Sequence, residues 1–525
     1  MENACVIAAK SLGFLRTVRN RFAGRDLSKK ASLNAIATAL DYGARTIVGF
    51  LIQPLMVLFL GDIGYGIWQV IDRSVGYISP ATGRPTQALK MVIARSQGST
   101  DFVQKRQYVG SALAIWFCAV PILLILGGLL AWGLPGWVDT PEPLVPAVRG
   151  AYMLLVLNII LVTVANLPKA VLAGENLGYK RMGLSALLVM LNGILIVLFL
   201  YLGWGLVGMG LASVVTTALT GVFFLRVAKR ELAWFGVGRP TLRFVGRFLG
   251  LSGWFQLWNV VMRAMRTGDV VLLGIMASPA VVTVYTLTRY VPETLINFIT
   301  TIVFGVTPGM GRMIGDGDRE AAAGVRAEIM SLTWLLSITI GTGVLLWNAA
   351  FMALWTDQVY FAGHDVNLLI VIMVLQFALI RNDANLIDLT LEMRTKVLLG
   401  LLATALSIGL GAYFLSISSN PIGALCLGVI LGRALLTVAY PTLIGRSLGV
   451  PWQRQWTGIM RPVLITVLLF GTAYILTDEL RVSSWLALVN NAILSGLIIL
   501  AIAYFAGLPI PMRLRLRRRL QAMIR

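Results

Sequence analysis

The feature that most constrains this chain is the recurrence of apolar stretches long enough to cross a bilayer, separated by short polar breaks. A hydrocarbon core takes about 20 apolar residues of α-helix, because each residue rises about 1.5 Å and lipid offers no partner to an unpaired backbone group. Fourteen such stretches are readable, roughly at 34–60, 66–92, 107–133, 148–170, 182–202, 204–225, 248–275, 280–308, 328–350, 365–389, 396–416, 421–444, 462–477 and 484–508. The first, second and eighth are long and are expected to tilt or to extend past the membrane. The longest gap, Arg226–Arg247, is about twenty residues, too short for a folded domain outside the membrane. With 58% hydrophobic and only 13% charged residues, the composition departs from that of a soluble domain in the same direction. The expected fold is an all-α polytopic membrane protein of about 14 transmembrane helices.

Several chemistries are excluded at once. His364 is the single histidine, which removes His-based triads and paired-histidine zinc motifs. Cys5, Cys118 and Cys426 are far apart, and the last two fall in apolar stretches, so neither a disulfide framework nor a Cys/His metal site is expected. There is no GxxxxGK[ST] loop. A literal GxGxxG stands at Gly203, Gly205 and Gly208, but no strand precedes it, and close helix packing explains it better than a dinucleotide. No catalytic residue, metal or cofactor is expected. The net charge of +21 would fit nucleic acid in a soluble chain, but not in one with this much apolar surface, so no nucleic-acid partner is expected.

The basic residues set the orientation. Of 44 Lys and Arg, only Arg149 and Arg481 fall in connections assigned to the outside, when the N-terminus is placed inside. That asymmetry is what the positive-inside rule asks of an even number of spans with both termini cytoplasmic. Met1–Lys10 lacks the basic start of a signal peptide, so no cleavage is expected. Both ends read as interfacial anchors: Leu12, Leu15, Val18 and Phe22 repeat at helical spacing among Arg16, Arg19 and Arg21, and the tail carries Arg513, Arg515, Arg517, Arg518 and Arg519. Orientation and retention in the cytoplasmic leaflet account for that charge more simply than dedicated capture of anionic headgroups.

The unusual residues are the charges inside the stretches. Arg45, Arg73, Arg263, Arg266, Arg289, Arg381 and Arg433 lie there with Asp41, Asp72, Asp269, Glu293, Asp383 and Asp388. An arginine at the centre of a lipid-facing helix costs about 2.5–3.5 kcal/mol on insertion scales, so these side chains must face one another, the bundle interior or a wet cavity. Spacing agrees: Asp41/Arg45 and Arg289/Glu293 are i, i+4, and Arg263, Arg266 and Asp269 descend one stripe in steps of three. The first and second stretches carry Asp41/Arg45 and Asp72/Arg73, and six stretches later the seventh and eighth carry Arg263/Arg266/Asp269 and Arg289/Glu293. A six-helix period implies two halves whose charged helices line a shared cavity. The other reading is a set of internal ion pairs that lock the bundle. Arginine stays charged when desolvated and its planar fork matches phosphate oxygens, which favours an anionic substrate.

Short motifs then bring in a resemblance. Leu60-Gly61-Asp62-Ile63-Gly64-Tyr65-Gly66-Ile67-Trp68, Gly76-Tyr77, the run Ala88-Leu89-Lys90 to Ala94-Arg95, Ala173-Gly174-Glu175-Asn176-Leu177-Gly178-Tyr179, and Asp269 with Leu272-Leu273-Gly274 and Tyr285 follow in order over roughly residues 34–450. In these pieces the chain resembles the polysaccharide transporters of the multidrug/oligosaccharidyl-lipid/polysaccharide exporter superfamily, which include O-antigen flippases. The resemblance implies two six-helix lobes in pseudo-twofold arrangement around a central cavity, with alternating inward and outward openings. It implies a polyprenyl-pyrophosphate oligosaccharide moved from the cytoplasmic to the outer leaflet for polysaccharide or lipopolysaccharide biosynthesis. It implies substrate contact by Arg45, Arg73, Arg263, Arg266 and Arg289, with Asp41, Asp72, Asp269 and Glu293 as their charge partners. Many relatives stop at twelve helices, whereas this chain adds 462–477 and 484–508, a pair that lipid II flippases also carry.

The resulting plan is a basic N-terminal segment at 1–33, an N-terminal six-helix lobe at 34–228, a basic connection at 229–247, a C-terminal six-helix lobe at 248–448, the extra helix pair at 449–508 and a basic tail at 509–525. A monomer in the bacterial cytoplasmic membrane is expected, in contact with membrane lipids and with other polysaccharide assembly proteins. Two competing classes are an ion-coupled multidrug antiporter on the same fold and an integral glycosyltransferase or polymerase. The second is disfavoured because the largest outer connections, near 134–147 and 351–364, are short.

Overall fold

The computed structural model of the chain describes residues 27–524, apart from 84, 97–98, 178–182, 242–243, 247–252, 305–312, 315–316, 391–392, 452, 454, 456–457 and 481. All regular structure among these residues is helical. The expected N-terminal anchor, Gly178 and Tyr179 of the fourth motif and Arg481 lie outside the described residues.

The helices are α1 (Leu27–Ile78), α2 (Pro85–Arg95), α3 (Phe102–Trp137), α4 (Val145–Ala165), α5 (Leu167–Gly174), α6 (Leu184–Tyr201), α7 (Gly205–Glu231), α8 (Gly253–Met276), α9 (Pro279–Phe304), α10 (Arg319–Trp355), α11 (His364–Thr390), α12 (Met393–Ile417), α13 (Pro421–Leu448), α14 (Met460–Leu476), α15 (Trp485–Ile502) and α16 (Ile510–Ile524). Each apolar stretch read from the sequence overlaps one of them. Ten segments among the described residues are long and apolar enough to cross a membrane, and α14 is apolar but shorter. The chain is a multi-pass membrane protein by that measure, with ten such segments where the sequence pattern predicts about fourteen. Two causes are visible. The first two stretches merge into the 52-residue α1, broken only at Gly61, and α8 dilutes its apolar length with Arg263, Arg266 and Asp269.

Local chemistry explains the breaks. Gly61 holds φ at 69°, a left-handed conformation that costs glycine nothing, and there α1 changes direction. Pro292 removes the N–H that would bond the Thr288 carbonyl in α9; Asn348 of α10 donates its Nδ2 to that carbonyl instead, at 3.0 Å. Asp318, Asn420 and Ser484 cap α10, α13 and α15 by accepting from backbone N–H groups two or three residues into the helix.

The chain divides into two compact units. The first comprises Met1–Leu55, Ala81–Gly127 and Met153–Gly250, and the second Met56–Pro80, Gly128–Tyr152 and Leu251–Arg525. In the first, Leu89 and Ile93 of α2 pack with Tyr108, Val109 and Val171. Gly174 closes this packing, since a Cβ there would lie 2.8 Å from Ile93. Lys105 reaches Glu175 at 2.8 Å over the Trp234 ring, and Arg106 donates to the Trp234 carbonyl at 2.8 Å, so α3 holds the segment after α7. Gly208 of the GxGxxG sits against Phe199 and Trp204, whose rings stack at 5.0 Å, as close packing requires.

In the second unit, α8, α12 and α13 share a core of Trp258, Val261, Val397, Leu436 and Tyr440. The extra pair α14/α15 is stitched to α10: Trp334 Nε1 donates to Thr466 Oγ1 at 3.1 Å, Trp347 Nε1 to Ser495 Oγ at 2.9 Å, and Thr477 Oγ1 to the Leu345 carbonyl at 3.1 Å. The outer faces of the pair, among them Leu464, Val467, Leu486 and Leu497, stay exposed, as lipid-facing side chains do.

Candidate functional site

The site is built from the second half of α1 and from α8, α9 and α13, all within the second unit. Small residues bring these helices together. A Cβ at Gly66 would collide with the Pro279 carbonyl, and one at Gly274 with Val70. Thr283 Oγ1 bonds the Asp62 carbonyl at 2.6 Å. These motif glycines are therefore positions where backbone or side chain approaches too closely for any other residue.

On that scaffold α8 presents Arg263, Arg266 and Asp269, and α9 presents Tyr285, Arg289 and Glu293 at spacings of four. Arg289 Nη1 is ion-paired to Asp269 Oδ2 and donates to Tyr285 Oη at 2.7 Å. The Tyr285 hydroxyl donates in turn to the same Asp269 oxygen at 2.8 Å. Arg289 Nη2 donates to the Arg266 carbonyl at 3.3 Å, and its Nε lies 3.2 Å from Glu293 Oε2. Glu293 Oε1 is 3.8 Å from Arg266 Nη2. Asp269 and Arg289 are buried, whereas Arg266 keeps 39% of its side chain exposed and Arg263 is exposed. The Arg263 guanidinium lies on Gly76 of α1, in the space a Cβ would occupy.

Two further guanidiniums belong here. Arg73 is within electrostatic reach of both Glu293 and Arg266, and its Nε is buried without a hydrogen-bond partner. Arg433 of α13 is only 3% exposed, donates Nη2 to the Met265 carbonyl, and is within electrostatic reach of Asp269 and Arg289. Four guanidiniums (Arg73, Arg266, Arg289 and Arg433) thus share two carboxylates (Asp269 and Glu293), with Arg263 and Arg381 within electrostatic reach of Arg266.

The other acidic residues of the spans are engaged elsewhere. Asp383 takes Arg326 with a bond from Nε and another from Nη2, each at 3.0 Å, and Asp388 pairs with Lys396. Asp72 is exposed. Asp41 and Arg45 lie in the first unit, Asp41 half-buried and Arg45 exposed, with no ion pair between them among the described residues. Of the five arginines expected from sequence, Arg73, Arg266 and Arg289 lie with Asp269 and Glu293, Arg263 lies beside Arg266, and Arg45 belongs with Asp41 to the other unit. Tyr285 and Arg433 are the members that sequence spacing did not assign to the site. Arg433 carried a signal, a lone charge in the apolar run 421–444. Among the described residues no group of three or more His, Cys, Asp or Glu is arranged to hold a metal.

Comparison with known proteins sharpens the class. No family model matches the chain, and no curated protein matches it. Solved structures do. The lipid II flippase MurJ in an inward closed conformation superposes with a TM-score of 0.64 at 13% identity, over 90% of this chain and 98% of that one. An inward-facing multidrug resistance MATE family transporter of the MOP superfamily gives 0.63 at 14% identity, over 79% and 98%. A MOP superfamily transporter from Pyrococcus furiosus, described as having a binding pocket of reverse polarity, gives 0.53 at 14% identity, over 82% and 97%. The chain has the polytopic fold of these solved structures, present over nearly their whole length.

Proposed function

We propose that the chain is a flippase that carries a lipid-linked, polyprenyl-pyrophosphate oligosaccharide from the cytoplasmic to the outer leaflet of a bacterial cytoplasmic membrane, serving polysaccharide or lipopolysaccharide assembly. The observation that carries this reading is the excess of guanidinium over carboxylate on α1, α8, α9 and α13. A pyrophosphate headgroup cannot enter hydrocarbon without losing its water, and arginine forks replace that water with charge-assisted, bidentate hydrogen bonds. A carrier of cationic drugs needs carboxylates free to trade a cation for a proton; here both carboxylates of the cluster are held by arginine. The presence of a lipid II flippase among the structural neighbours agrees with this substrate class.

In this reading Arg263 and Arg266, the more exposed members, meet the phosphates first, with Arg73 and Arg289 behind them. The two six-helix lobes, 34–228 and 248–448, alternate between inward and outward openings while the polyprenyl tail stays in lipid. The test is transport by the purified full-length chain in vesicles loaded with a lipid-linked oligosaccharide. Flipping of that lipid, without efflux of cationic dyes, supports the proposal. Dye efflux driven by an ion gradient, without flipping, supports the antiporter.

A further inference from the structure

The Asp269–Arg289 pair poses a mechanical problem for the flippase reading, on which this inference rests. Arg289 has its guanidinium committed to Asp269, Tyr285 and the Arg266 carbonyl. If it is to bind a phosphate it must leave Asp269, and a buried carboxylate stripped of the cation paired to it is strongly unfavourable. Something must take its place.

Arg433 has the required properties. It is buried, and it spends one nitrogen on the Met265 carbonyl. Its Nε is buried without a hydrogen-bond partner. Asp269 is within its electrostatic reach. Arg433 and Asp269 line one small cavity between α8, α12 and α13, together with Gly268, Thr404 and Ser407. Gly268 offers no side chain on the α8 wall, and the Thr404 and Ser407 hydroxyls donate to the Gly400 and Ala403 carbonyls of their own helix, leaving their oxygens with acceptor capacity in the residues that line the cavity. The carboxylate and a second guanidinium thus line one cavity, and Arg289 is not among its lining residues. Lysine would not serve as well, because its ammonium loses its proton when desolvated, whereas guanidinium does not.

We infer that Arg433 is the alternate counter-ion of Asp269: when an anion binds, Asp269 passes from Arg289 to Arg433, and the freed Arg289 closes on the phosphate. Arg433 is thereby a positioning residue that acts through Asp269 and does not touch the substrate. The exchange moves no proton and leaves the charge of the cluster unchanged, so the arrival of the substrate's own negative charge is what drives it.

A thermal-denaturation cycle on the full-length protein in detergent tests this without any ligand. Arg289→Gln and Arg433→Gln should each lower the melting temperature modestly, because the remaining arginine serves Asp269. The double variant should fall by clearly more than the sum, and adding Asp269→Asn should recover most of the loss. Additive single losses, or no recovery with Asp269→Asn, overturn the inference. Calorimetry with inorganic pyrophosphate as the probe reads the anion step. Arg433→Gln should weaken binding about tenfold, Arg433→Lys less, and Arg433→Gln should have no further effect once Asp269 is Asn. Equal binding by wild type and Arg433→Gln overturns the inference. Absence of pyrophosphate binding by wild type overturns the phosphate reading of the site itself, and the ligand-free cycle then decides the role of Arg433.

Discussion

Replacing Asp383 by Asn separates the charges that hold this bundle together from those that meet a substrate. Arg326 donates to both oxygens of Asp383, and the two side chains are only 11% and 2% exposed. Two hydrogen bonds between ionised partners contribute about 1.5–3 kcal/mol each, or about 3–6 kcal/mol together. Removing one member of a buried pair costs about 3–5 kcal/mol, because it strands the other charge. Arg326 keeps a contact to Gln455 Oε1 at 3.3 Å, which does not neutralise it. Asp383→Asn should therefore shift the folding equilibrium by on the order of 10²- to 10⁴-fold, and it should shorten the life of the heated protein accordingly. The assay is the fraction of detergent-solubilised protein that stays monodisperse on size exclusion after heating. The paired change Asp383→Leu with Arg326→Met should regain most of the loss, since apolar isosteres replace buried ion pairs at little cost. Transport per folded molecule should be unchanged, because neither residue belongs to the guanidinium cluster. Wild-type thermal resistance in Asp383→Asn, or a double variant as labile as the single one, would refute the reasoning.

Three further predictions concern the site and its scaffold. Arg263→Ala and Arg266→Ala should express at wild-type levels and abolish transport; normal export by both, measured in complemented cells, sinks their assignment to the substrate. Gly66→Ala and Gly76→Ala should part company: the new methyl at Gly66 meets the Pro279 backbone carbonyl, which cannot step aside, so heat resistance should fall, whereas at Gly76 it meets only the mobile end of Arg263. The Gly76 variant should therefore melt like wild type and transport poorly, as read by the same two assays. Lys396→Met should destabilise by about 3–5 kcal/mol through the stranded Asp388, and Asp388→Leu on top should restore heat resistance.

Much of this was legible in the chain. Every apolar run fell on a helix, and the motif glycines at 61, 66, 76, 174 and 274 turned out to be a break point and close approaches. The i, i+4 spacing of Arg289 and Glu293 correctly placed them in contact. The charge of the site was not legible. Counted along the stretches, seven arginines face six carboxylates, which looks nearly neutral. Partner choice breaks that balance: Asp383 is taken by Arg326, which the pattern leaves in a connection, and Asp388 by Lys396 at the very edge of a stretch. Such pairings join residues that are 57 positions apart in one case, and no local periodicity encodes them. Arg433 was missed for the same reason, since the Met265 carbonyl that it meets across helices is 168 residues distant. Helix count was blurred by physics too, because α1 carries its two apolar stretches through a single left-handed glycine.

The central claim is tested most directly by the leaflet in which the lipid-linked oligosaccharide resides. In cells lacking the protein and in complemented cells, the lipid-linked sugar exposed at the outer face of the cytoplasmic membrane would be labelled from outside and compared with the total pool. Loss of outer exposure on deletion, with intact precursor accumulating inside and exposure restored by wild type but not by Arg263→Ala, is the predicted result. Unchanged exposure in the deletion would contradict the flippase account and return the guanidinium cluster to a structural role on a transporter of some other cargo.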